Sequence, residues 1–351
     1  MYIILKSNYI LKEVISSLSI SSLKLLFILS ITYFFLGCSV TTVKPNEIEI
    51  KIPKTLNLNG ENKFPAQPKK VLLYNNSLVI GFDNGVIAKW DLNSSKLTKV
   101  FQTTDNYPIK SFFKNENKLF VGSSSMKLSS YSLDSGGRLN EKKFSQGSLM
   151  DIIQVKDNLV VAFGNSEILI IKSKNFENMD TKKEHNYLVY TLYYDEKNNI
   201  LFSGSDDNTI IVWELVDNSL KKISQIKEFD NSVRHILRSP DNIIVTSGNG
   251  KIYMFDHSLK DVLVESTFHK SSIVSAKVYN NTLIVGDSSG IVSSWCIANN
   301  SMQLNKTLRM SASIRSINFI DDKVLIFSKD GKIITNDLFC KSDSLILSLE
   351  K

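Results

Sequence analysis

The chain has 351 residues, 42% of them hydrophobic, with a formal net charge of +7 at pH 7. That apolar share supplies a large core, and the modest basic excess points weakly to an acidic or membrane-surface partner. No run of basic residues interleaved with aromatics marks a nucleic-acid surface, which excludes that class of partner.

Residues 1–37 differ from all that follows. Leu25 to Gly37 is uncharged and apolar, with Lys24 just before it, and it stops at Cys38. Such a stretch is too short to span a bilayer comfortably and suits a signal-peptide core. The Gly37-Cys38 junction resembles the bacterial lipobox, in which the Cys is acylated and becomes the new N-terminus. Phe35 and Leu36 stand where that motif usually has Leu and Ala or Ser. The alternative is an uncleaved signal anchor from Leu18 to Gly37. We read 1–37 as a lipoprotein signal peptide and Cys38 as the lipidated residue. Ser39 after the Cys favours the outer membrane over the inner. Cleavage removes Lys6, Lys12, Lys24 and Glu13, so the net charge of +7 falls by two, to +5.

Residues 38–66 read as a tether with one strand. Glu47 to Ile52 alternates charged and apolar residues, the period of a strand with one apolar face, and Asn57 to Ala66 returns to loop. This strand, or the alternating Ser344 to Leu349 at the other end, would close the fold by joining the last repeat.

From residue 67 the chain repeats itself. The stretch Leu201 to Leu215 reads as two strands joined by a tight turn at Asp207-Asn208. With Trp213 as anchor, equivalent positions are Trp90, Tyr131, Ile171, Phe255, Trp295 and Asn336, at steps of 40 to 42 residues. Turn pairs precede each anchor: Asn84-Gly85, Ser125-Met126, Asn165-Ser166, Asp207-Asn208, Asn249-Gly250, Ser289-Gly290 and Asp330-Gly331. Five of these tolerate positive φ well; Ser125-Met126 and Asn165-Ser166 do not. A period near 41 with about four strands per period predicts an all-β, seven-bladed β-propeller over 67–351, each blade of four antiparallel strands.

The blade-four stretch closely resembles a WD repeat. His185, Asp207 and Trp213 match that family's pattern by spacing, although Glu214 follows Trp213 where Asp is usual. The resemblance implies a buried hydrogen-bond network of His185, Ser203 or Ser205, Asp207 and Trp213, a structural rather than a catalytic set. Blade six keeps His269 and Trp295 but has Ser289 at the Asp position; blade one keeps Trp90 with Asn84.

Other chemistry is sparse. The four His residues show no ligand spacing, so no metal is expected. No phosphate-binding loop occurs and no cofactor is implied. Cys296 and Cys340 sit near the ends of third strands in adjacent blades, which are expected to be too far apart for a disulfide, so two buried thiols are expected.

The working surface is read from the inner strands. Their opening triplets place Lys69, Lys110, Met150, Tyr190, Arg234, Val274 and Arg315 at equivalent second positions, provided that blade four has a longer first turn. In WD propellers this position rings the mouth of the central channel, where partners dock. Like charges around one opening repel, so folding alone does not favour this set. The reading is a non-enzymatic, monomeric scaffold on the periplasmic face of the envelope. It would be anchored by lipid and would bind an acidic segment of a protein partner. In layout the chain resembles WD-repeat accessory proteins of periplasmic nitrate reductases. It is also similar to the propeller lipoprotein of outer-membrane protein assembly, whose family has eight blades. A propeller enzyme is the rival class; it would need acids, His or metal ligands gathered at the channel.

Overall fold

The computed structural model describes residues 46–47, 55–57, 63–94, 96–101, 106–227, 229–320 and 323–340. The segment 1–37 expected to be a signal peptide, Cys38 and the C-terminal strand expected at 344–349 lie outside these residues. Among the described residues no helix is long and apolar enough to cross a membrane.

Seven four-stranded antiparallel sheets follow one another along the chain, which makes the fold a seven-bladed β-propeller. All seven anchors fall in the third strands, as in Ile87–Asp91, Ile210–Val216 and Ile333–Asn336, and all are buried. The blades meet through seven apolar clusters, one at each junction. Each third strand buries both faces because each faces a neighbouring blade, so its apolar residues run continuously instead of alternating. Trp213 packs between blades three and four, among Val160, Ile168, Ile170 and Leu201.

The turn chemistry holds even where the residues oppose it. The second turn position has φ of 81° at Gly85, 62° at Asn208, 92° at Gly250 and Gly290, and 85° at Gly331. Met126 and Ser166, the two poor formers, adopt 68° and 73° all the same. Packing of the flanking strands overrides local preference there, at some cost in backbone strain. The inner hairpin of blade four turns through four residues, 196–199, where blade one uses Asn75 and Asn76 alone.

Closure uses the N-terminal side. Asn46–Glu47 pairs antiparallel with Thr335 and Ile334 and takes the outer place in blade seven. The stretch read as loop before the first blade holds a small hairpin, Thr55–Asn57 with Lys63–Pro65.

The expectation of two free thiols is overturned. Cys296 and Cys340 form a disulfide, with Cα atoms 5.7 Å apart. Cys340 does not sit on a third strand: that strand ends at Asn336, and the chain then crosses to blade six. There Asn305 Nδ2 donates to the Leu338 and Phe339 carbonyls at 3.3 and 3.4 Å, and the Cys340 amide donates to Thr282 Oγ1 at 3.1 Å. The crossing removes the blade-to-blade distance that argued against the bond.

Candidate functional site: the mouth of the central channel

In every blade the first strand pairs with the second through a register shift at its start. Pro68 and Lys70 pair with Phe82 and Gly81, leaving Lys69 unpaired between them. The same holds for Lys110, Met150, Tyr190, Arg234, Val274 and Arg315. Each sequence-predicted mouth residue is thus the extra residue of a β-bulge. A bulge re-aims the side chain it carries. Six of the seven line one cavity of about 380 Å³ at the start of the inner strands. Arg315 does not line it but stands close enough to Lys69 to act on its charge.

Lys69 is held below the usual lysine range by burial, then by the charges of Arg315 and Lys110, against the pull of Asp83. Burial also lowers Arg315. The Arg234 guanidinium lies 3.7 Å from the centre of the Tyr190 ring, a cation–π contact that fixes both side chains. Arg234 Nε and Arg315 Nε are buried without a hydrogen-bond partner.

Below the bulges sits a second tier that sequence reasoning missed. In four of the blades the third residue of the triplet ties its blade to the next. Ser111 Oγ donates to the Leu149 carbonyl at 3.2 Å, and Ser316 Oγ donates to the Val71 carbonyl at 3.1 Å. The Ile317 amide donates to Ser275 Oγ at 3.1 Å. Asp151 accepts from the Leu192 amide at 2.8 Å and from its own neighbour Ile152 at 2.9 Å. Lys70 and His235 occupy this position in blades one and five, and with Asp151 they reach the cavity. Burial pushes Asp151 up to about 6, against its amide contacts and Lys70. Burial, with the charges of Lys70 and Arg234, pushes His235 down to about 3, so its ring is neutral. The signal was present: small hydroxyl residues recur at this position as Ser111, Thr191, Ser275 and Ser316.

The His185 set is not among the residues that line this cavity. His185 Nδ1 stands 2.9 Å from Asp207 Oδ2, and Nε2 stands 2.8 Å from Ser203 Oγ. A carboxylate only accepts, so Nδ1 carries the proton and Nε2 accepts from the Ser203 hydroxyl. Trp213 Nε1 donates to the same Ser203 Oγ at 2.8 Å. Ser205 plays a separate part: its hydroxyl donates to the Leu188 carbonyl at 2.9 Å, and its Oγ accepts from the Asp207 amide at 3.1 Å. Burial works against the Asp207 charge, but bonds from His185, Thr209 and the Asn186 amide hold its carboxyl well below the usual range. The Ser-His-Asp order is that of a nucleophilic triad, yet Ser203 is fully buried and its oxygen already accepts from Trp213. No substrate reaches it, so the set is a structural network.

In blade six, where Ser289 stands at the Asp position, another residue supplies the carboxylate. Asp287, two residues earlier at the end of the second strand, accepts from His269 Nδ1 at 2.8 Å. Ser293 Oγ bridges His269 Nε2 and Trp295 Nε1, at 2.7 Å to each. Blade one has no such His, and Trp90 Nε1 is buried without a partner. Among the described residues no cluster of His, Cys, Asp and Glu could hold a metal ion.

A family model described as WD domain, G-beta repeat matches residues 176–214, which end one residue past Trp213. No curated protein matches the chain. Among solved structures, the WD40 β-propeller domain of Doa1 is similar at TM-score 0.65 and 17% identity, covering 80% of this chain and 94% of that one. The computationally designed Ika8 protein is similar at TM-score 0.60 and 16% identity, covering 78% and 96%. The chain is a seven-bladed β-propeller with the architecture of these structures, and its repeat at 176–214 matches the WD domain model.

Proposed function

We propose that this propeller is a non-enzymatic scaffold that holds an acidic segment of a protein partner at the channel mouth. It works as a monomer tethered by lipid on Cys38 to the periplasmic face of the envelope, at the outer membrane. The observation that carries the docking surface is the set of bulges. Lys69, Lys110 and Arg234 line one opening from unpaired backbone positions, and Arg315, at the same position in blade seven, stands close enough to Lys69 to act on its charge. Tyr190, braced by Arg234, supplies an aromatic anchor of the kind that dominates interface energies. The disulfide suits an oxidising compartment, which agrees with export. The role nearest this description is that of the WD-repeat accessory proteins of periplasmic nitrate reductases. Seven blades argue against the eight-bladed outer-membrane assembly lipoprotein.

The test is crosslinking capture from envelope extracts. Wild type is expected to capture a discrete partner whose recovery falls as salt rises, because exposed contacts are screened. Charge reversal at Lys69, Lys110 and Arg315 should abolish capture with the fold intact. Capture at full strength after the triple change refutes the docking surface. In the same cells a labelled fatty acid should mark the wild type and not Cys38→Ala; equal labelling refutes the anchor.

A further inference from the structure

Among the described residues, the cations at and below the mouth of the channel outnumber the acids near them. Lys69, Lys70, Lys110 and Arg234 line the cavity, with Arg315 beside it. Among the described residues none of the five side chains has a hydrogen bond or an ion pair. The two nearby acids are already engaged. Asp83 accepts from the Gln67 amide at 2.8 Å, and Asp151 accepts from two amides. Lys70 is solvent-exposed where it lines the cavity, yet the protein packed around it lowers it below the usual lysine range in spite of Asp151. Crowded cations at one opening raise the energy of the free protein, and an anion among them would relieve it.

The walls narrow the choice of anion. Ile109, Met150, Ile273 and Val274 give the cavity an apolar flank, and its volume of about 380 Å³ far exceeds one carboxylate. A bare phosphate would leave that flank wet, and as a dianion it would meet Asp151 with twice the repulsion of a carboxylate. An aliphatic stem would cover the flank while its charged end reaches the lysine below.

We propose that the channel seats a carboxylate on an aliphatic stem, with Lys70 as the deep contact and Lys69, Lys110 and Arg234 around the stem at the mouth. This rests on the docking reading only for the source of the group: an acidic side chain of the partner or a free aliphatic dicarboxylate would bring the same chemistry.

The experiment is titration calorimetry on the mature full-length chain with three probes: succinate, an end-capped glutamate pentapeptide and inorganic phosphate. Wild type should bind the pentapeptide, and Lys70→Met should weaken it by about tenfold or more, the size of one charge-assisted contact. Lys70 has no hydrogen-bond partner to orphan, so Lys70→Met should fold, and Lys70→Arg should restore binding. If succinate competes and shows the same Lys70 dependence, free dicarboxylates are a source; if only the peptide binds, the partner is the source. Three results overturn the site: no binding of either carboxylate to wild type, equal binding to Lys70→Met, or phosphate binding more tightly than both. Two results separate this site from the docking surface. Peptide binding lost on charge reversal at Lys69, Lys110 and Arg315 but unchanged in Lys70→Met keeps the surface and sinks the channel site. Lys70-dependent succinate binding alongside partner capture that survives the triple change does the reverse.

Discussion

Trp213 and Trp90 occupy equivalent places in two blades, yet removing the indole nitrogen should have opposite effects. Trp213 Nε1 donates into the chain Trp213–Ser203–His185–Asp207, whereas Trp90 Nε1 is buried with no partner. Consider Trp→Phe at each. Both lose part of a large ring at a blade junction, a cavity and transfer loss of roughly 1–2 kcal/mol. At 213 the change also breaks a neutral hydrogen bond, about 1 kcal/mol net, and leaves Ser203 Oγ short of a donor in a dry site, roughly another 1 kcal/mol. At 90 it removes an orphan N–H whose burial costs about 1 kcal/mol or more, which offsets the cavity. Trp213→Phe should therefore cost about 3–4 kcal/mol and Trp90→Phe about 0–1 kcal/mol, by the same principles. Trp295→Phe should follow Trp213, since Ser293 bridges it to His269 in the same way. Urea unfolding followed by fluorescence and by circular dichroism measures the three midpoints, compared at unchanged slope. A Trp90→Phe protein that loses as much as Trp213→Phe would refute the claim that the network, beyond ring burial, stabilises blades four and six.

The Cys296–Cys340 bond closes a separation of 44 residues, for which chain entropy gives about 4 kcal/mol. Reduction or Cys296→Ser should lower the melting temperature clearly, and thiol labelling of the oxidised protein should find neither cysteine; full labelling before reduction excludes the bond. A second expectation concerns pH. Asp207 and Asp287 have carboxyls held below the usual range, so their contribution is present above about pH 4 and lost as pH falls through their lowered folded values. Buried neutral His269 and His235 act in the same direction, their stability beginning to fade below about pH 6.5, where the unfolded ring takes a proton. Asp151, raised to about 6, acts oppositely, its folded form losing ground as pH rises from about 4 toward 6. Melting temperature against pH should fall on the acid side, and Asp207→Asn with Asp287→Asn should flatten that limb; an unchanged limb would refute the assignment.

The repeat was legible because the chain uses residues of one kind at positions of one kind. Seven turn pairs and seven anchors at near-constant spacing define strand two and strand three, and the structure places every anchor in a buried third strand. The mouth residues were legible for a related reason: the register of the inner strands follows from the turn that comes after them. What escaped were features set by contacts between distant parts of the chain. Asp287 replaces a carboxylate two positions away because a carboxyl at the end of the second strand reaches His269 as well as one in the turn does. Spacing rules that fix the Asp by its distance from the Trp cannot see this. The path of residues 337–340 along blade six depends on Asn305, Thr282 and Phe339 meeting in space, and only that path brings Cys340 to Cys296.

The bulges and the stitching tier below them explain how a cationic mouth is tolerated at all. A bulge leaves one residue outside the ladder, so its side chain is free of the packing that selects strand residues. The next residue returns to the ladder and, as Ser111, Asp151, Ser275 or Ser316, bonds to the following blade. These bonds hold the inner strands at fixed separation whatever the bulge residue carries. Ser316 to Val71 matters most, because it joins blade seven to blade one at the seam where the circle closes. The bonds between blades and the bulge thus fall on adjacent residues of the same strand, and the bulge position is free to gather charge. Tyr190, Met150 and Val274 occupy the same bulge as the lysines and arginines without disturbing the ladder. The seven side chains at the mouth can therefore vary while the ring that presents them stays the same.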